Sequence, residues 1–93
     1  MTGSATEAAI RDEILRQTAS RGPESSICPS EVARALSPDD WRRLLDPVRR
    51  TAAALSREGR VEILRKGKPV PPEAMRGVIR LRAAATDDGG DKR

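Results

Sequence analysis

At 93 residues, with Phe and Tyr absent and Trp41 the one aromatic, the chain has room for a single small domain whose core is built from Ile, Val, Leu and Ala. Histidine is absent and Cys28 is the one cysteine, which excludes a His-bearing zinc site, a cysteine cluster, a Ser-His-Asp triad, a Cys-His pair and an intramolecular disulfide. The net charge of +4 is unevenly spread: residues 1–40 carry four Arg against seven Asp and Glu, residues 41–82 carry twelve Lys and Arg against four acids, and residues 83–93 carry two bases against three acids.

Such asymmetry points to a polyanionic partner, although a run of charge also serves as a solvated face. No stretch approaches the ~18 apolar residues of a membrane span, and Met1-Thr2-Gly3-Ser4 is not a basic region followed by an apolar run. A cytoplasmic location is therefore expected. Residues 1–5 and 83–93, the latter reading "AAATDDGGDKR", lack the apolar content to build a core and are expected to be disordered, leaving one domain over 6–82.

In chain order, Ser4 and Glu7 have the spacing of a capping box, and Ala9, Ile10, Ile14 and Leu15 form an apolar stripe along a first helix that ends near Arg21-Gly22-Pro23. "ESSIC" is short and extended. Pro29 then suits the first position of a two-turn helix, with Glu31 in its first turn and Val32, Ala33 and Leu36 as its buried edge. Ser37-Pro38-Asp39-Asp40 is read as the next helix start, with Ser37 capping and two acids at the positive end of the dipole. From Trp41 the sequence is helical except at Asp46-Pro47. There Asp46 is expected to cap a new helix with Pro47 at its first position, or else one helix continues through a kink.

On that helix Val48, Ala52 and Leu55 face inward, Arg49, Arg50, Ala53 and Arg57 lie together on the opposite side, and Gly59 supplies a left-handed stop. Residues 60–65 and 78–82 alternate as two strands of one hairpin. Between them lie Lys66-Gly67-Lys68-Pro69, where Gly67 permits a turn, and "VPPEAMRG", where two prolines forbid a regular strand and Glu73 to Arg76 suit one helical turn. The expected class is α+β, with three to four helices and a small antiparallel sheet.

The order helix, short strand, short helix, basic helix, hairpin is that of a winged helix-turn-helix. The segments "SICPSEVARAL", "WRRLLDPVRRTAAAL", "EGRVEILRKGKPV" and "RGVIRLR" resemble a bacterial family of small proteins, a domain of unknown function with a winged-helix fold, over roughly residues 6–82. The resemblance implies the fold; it brings no activity, cofactor or catalytic residue.

Function therefore rests on the residues themselves. In a DNA-binding winged helix the recognition helix enters the major groove while flanking groups hold the backbone. Arg49, Arg50 and Arg57 suit that helix, Arg42 and Arg43 just upstream suit a phosphate strand, and Lys66 and Lys68 suit the wing. With one Trp and no other aromatic there is no platform for stacking single-stranded bases, so duplex DNA is the expected ligand and a small transcriptional regulator the expected role. The alternative is a winged helix that meets an acidic protein partner without binding DNA, as a monomer or homodimer, with the Ala52-Ala53-Ala54 run as an apolar patch.

Trp41 beside Leu44 and Leu45 reads as a core anchor. Cys28 sits at a helix start, a position that suits a redox-sensing thiol, but no second cysteine is present to resolve an oxidised one. Asp39-Asp40 have a sufficient role at a helix start. No enzyme activity, metal or cofactor is expected.

Overall fold

Residues 6–84 are described by a computed structural model. Helix α1 spans Glu7–Arg21, and its cap is Thr6, whose hydroxyl accepts the Ala9 N–H at 3.1 Å. Ser4, expected in that role, lies outside the described residues, as does the expected disordered start over 1–5. Ile10, Ile14 and Thr18 form the buried stripe, whereas Leu15 is half-buried. The Thr18 hydroxyl donates to the Ile14 carbonyl at 2.8 Å, which satisfies a polar group that burial would otherwise penalise.

After α1 the chain extends through Ile27, which exchanges two backbone hydrogen bonds with Leu81, each 2.8 Å. Helix α2, Pro29–Leu36, starts with Pro29 where a missing N–H costs nothing, and the Glu31 carboxylate accepts the Cys28 N–H at 2.9 Å. Ser37 does not cap the following helix. Its own N–H donates to the Ala33 carbonyl at 2.9 Å to close α2, and its carbonyl accepts from Asp40 at 3.1 Å, so 37–40 form a turn held by backbone.

The chain then winds tightly as a 3₁₀ turn over Trp41–Leu44 and passes directly into α3, Leu45–Arg57. The expected break at Asp46-Pro47 is thus displaced to Leu44–Leu45. Pro47 falls within the first turn of α3, where an amide has no intrahelical acceptor to lose, and Asp46 is an acid of that turn rather than its cap. At the far end Gly59 has φ +78°, with Gly59 N–H donating to Ser56 at 3.0 Å and Arg60 N–H to Leu55 at 2.9 Å. This reciprocal pair closes the helix as expected for a left-handed glycine stop.

Three antiparallel strands follow, β1 (Val61–Arg65), β2 (Lys68–Val70) and β3 (Arg80–Ala83), in the order β2-β1-β3. The expected single hairpin with a long loop is therefore corrected. β1 turns at once into β2 across Lys66-Gly67, and both turn residues have positive φ, 54° and 81°, which matches the right-handed strand twist. Pro69 fits because β2 is an edge strand and the Leu64–Pro69 pair, next to the closing Arg65–Lys68 pair, exchanges no ladder bonds. A short 3₁₀ turn at Pro72–Ala74 leads back to β3 on the other side of β1. β3 includes Ala83, and the Ala84 N–H meets the Arg60 carbonyl at 3.4 Å; residues 85–93, most of the expected disordered tail, lie outside the described residues.

The architecture is α+β: α1 and α3 pack on β3 and β1, and α2 packs on both of those helices. Ile10, Ile14, Ile27, Val32, Val48, Leu55, Ile63 and Leu81 meet in one aliphatic core, with Trp41 half-buried at its margin.

Candidate functional site

Helical periodicity places Arg49, Arg50, Ala53 and Arg57 on one side of α3, yet the return from β2 to β3 covers part of that side. Arg49 donates to the Gly77 carbonyl at 3.0 Å and the Met75 carbonyl at 3.4 Å. Arg57 meets Glu73 at 3.8 Å, and Ala53, expected on the exposed side, is only 8% exposed. Arg49 thus ties residues 75–77 to α3, and taking it to a ligand would leave two carbonyls without their donor. Arg57 is less committed. Its pair with Glu73 is long and both partners are exposed, so it contributes little and a phosphate can replace the carboxylate.

Arg50, one residue on and about 100° further round the axis, is exposed and borders an open cleft with Glu7, Ile10, Pro47 and Thr51. Upstream, Arg43 pairs with Asp40 at 3.1 Å, whereas Arg42 lies over the Trp41 ring at 4.6 Å from its centroid. Lys66 and Lys68 are exposed on either side of Gly67, at the tip of the β1–β2 hairpin. The seven cations therefore fall into three groups. Arg42, Arg50, Lys66 and Lys68 have no carboxylate within salt-bridge distance among the described residues, Arg43 and Arg57 have one, and Arg49 is held by backbone carbonyls.

The partition follows the chain. All three arginines of α1 are ion-paired: Arg11 with Glu58, Arg16 with Glu13 and Arg21 with Glu31. The Arg11 guanidinium holds the Glu58 carboxyl below its ordinary range, and Arg16, aided by Gln17, does the same for Glu13. On the outer face of the sheet Arg82 pairs with Glu62 directly across the strands, and Arg80 donates to the Ser26 carbonyl at 2.9 Å. Among the described residues, positive charge without a carboxylate within salt-bridge distance is concentrated from α2 to the β1–β2 hairpin, with Arg76 and Arg80 beyond it. It includes Arg34, which sequence reading passed over and which stacks on Trp41 at 4.4 Å from the ring centroid.

Two further surfaces bear on function. Cys28, Pro29, Ser30, Leu45, Ile79 and the 85% exposed Val78 border a shallow apolar cleft, and the Ser30 hydroxyl lies 3.1 Å from the Cys28 sulfur. Ala52 and Ala53 are buried in the domain itself, so the alanine run does not form the apolar patch expected for a partner. Among the described residues, no three His, Cys, Asp or Glu side chains are grouped to hold a metal ion, and no helix is long and apolar enough to cross a membrane.

The profile of a family described as "Protein of unknown function (DUF3253)" matches residues 7–84. No curated protein matches the chain.

Proposed function

The chain belongs to the DUF3253 family, whose description assigns no activity, and from its own surface we propose that it is a winged helix-turn-helix that binds duplex DNA, with a regulatory role and no catalysis. The winged-helix reading is supported by the order α1, the extended Ile27, α2, α3 and hairpin, with Ile27 bonded to β3 and the β1–β2 turn projecting as the wing. The resemblance suggests a bacterial setting, and an intracellular one accords with a chain that uses one cysteine.

One observation carries the binding reading: α1 neutralises its arginines internally, whereas Arg42, Arg50, Lys66 and Lys68 have no carboxylate partner among the described residues. Exposed guanidinium and ammonium groups without internal partners can neutralise phosphates at no cost in broken ion pairs. Four such contacts give a fall of log K with log salt of slope about −4. The smaller set also changes which residues carry the contact. Arg50 is the exposed arginine at the middle of the helix, and Arg49 is the clamp that holds the chain behind it.

Amide chemical shifts on adding a mixed-sequence duplex test the assignment of the face. Perturbation is expected at Arg42, Arg50 and Lys66–Lys68, with α1 unmoved; shifts centred on α1 or on the outer face of the sheet would contradict it. A second reading, docking of a protein partner, is favoured by one observation, the exposed Val78 beside the apolar cleft. It predicts shifts centred on Val78 when a partner rather than a duplex is added.

A further inference from the structure

Trp41 does more than anchor a helix start. Its ring packs on the core margin and is met by two guanidiniums, Arg34 from the last turn of α2 at 4.4 Å and Arg42 from the 3₁₀ turn at 4.6 Å. Both arginines are exposed, and neither has a carboxylate within salt-bridge distance among the described residues. Asp40, the acid nearest to Trp41 and Arg42 in the chain, is already engaged by Arg43. One indole therefore gathers two like charges whose Cζ atoms are no more than about 9 Å apart.

Stacking on the ring offsets some of their repulsion and leaves the donor edges of both planes free. Anions bonded to those edges remove the rest. Arg34 is also held in place before the ligand arrives, which lowers the side-chain entropy lost on contact.

We infer that Arg34, Trp41 and Arg42 form a subsite for the phosphate backbone of duplex DNA, with each guanidinium meeting one phosphate, which extends the contact surface from α3 onto the end of α2. The inference rests on the duplex-binding reading, because Arg42 belongs to both surfaces, but Arg34 is a separate test of it. The first helix of a helix-turn-helix crosses the phosphate backbone, and the α2–α3 turn is where that contact falls.

The test uses the full chain and a labelled mixed-sequence duplex, with affinity measured by anisotropy across a salt series and the emission of Trp41, the one tryptophan, read in parallel. Saturation with duplex is expected to change Trp41 emission. Arg34→Gln is expected to weaken binding roughly five- to tenfold at 0.1 M salt and to reduce the salt slope by about one. Arg34→Lys, which keeps the charge, retains the slope, and unchanged thermal midpoints for both variants exclude a folding defect. A wild-type slope for Arg34→Gln alongside a reduced one for Arg50→Gln overturns the subsite and leaves the duplex reading intact. Absence of duplex binding by every variant at low salt overturns both. Polyglutamate that changes Trp41 emission equally, with equal sensitivity to Arg34→Gln, would assign the cluster to carboxylates and overturn the phosphate.

Discussion

Ile63→Ala is expected to destabilise the domain by about 3 kcal/mol, within the 2–5 kcal/mol typical of deleting a buried branched side chain. Ile63 is fully buried in the central strand, opposite Val70 on one side and Leu81 on the other. Its side chain belongs to the cluster that α1, α2 and α3 share with the sheet. The effect is large relative to the whole, because a domain of this size is stabilised by only about 4–12 kcal/mol. No aromatic lies among the buried core residues to take up the lost volume. Urea unfolding should show the midpoint falling with little change in slope, and a loss below about 1 kcal/mol would mean that the sheet does not pack on the helices as described. A matched change at the exposed Val78, to Ala, is expected to leave stability within about 0.5 kcal/mol.

Reversing charge at Arg50 and Lys66 together, Arg50→Glu with Lys66→Glu, should weaken duplex binding by about a hundredfold or more at 0.1 M salt, since two phosphate contacts become two repulsions. Stability should be nearly unchanged because both groups are exposed and neither has a carboxylate partner among the described residues. The informative control is Arg11→Glu with Arg16→Glu, which changes net charge equally but acts on the face whose arginines are internally paired. If both double variants weaken binding alike, attraction is a matter of net charge and the proposed face is wrong. If only the first does, position matters. Arg49→Gln is a different kind of change. It releases the Met75 and Gly77 carbonyls, so its effect on binding comes with disorder of the loop packed on α3.

Much of this fold is legible in the sequence because its signals are local. The Ile10–Ile14 spacing, Pro29 at a helix start and Gly59 at a helix end each fix their element within one or two turns of chain. What escaped sequence reading depends on contacts between distant residues or on an uncommon backbone. β2 was hidden by Pro69, which reads as a strand breaker until the edge position and the non-bonded pair with Leu64 are known. Gly67 marks this turn in the sequence, but its tight two-residue form was hidden by Lys66, since a lysine at φ 54° is rarely chosen for such a position. The displaced break near Asp46-Pro47 has a similar cause: a 3₁₀ turn absorbs the change of pitch before the proline, so the proline needs no break of its own.

The candidate site was legible as a composition of basic residues and not as an arrangement. Periodicity put Arg49 beside Arg50, correctly, but the segment that claims Arg49 lies more than twenty residues downstream. Arg34 sits seven residues before Trp41, in a separate helix. Only the turn at Ser37–Asp40 brings its guanidinium over the ring.

Binding of a mixed-sequence duplex to the full chain across a salt series, from low salt to 0.2 M, tests the central claim most directly. The unpaired cations of α3, the preceding turn and the hairpin predict measurable binding at low salt and a log–log slope of about −4, steeper than any one or two incidental contacts produce. No binding at the lowest salt, or a slope no steeper than about −1, would contradict the account.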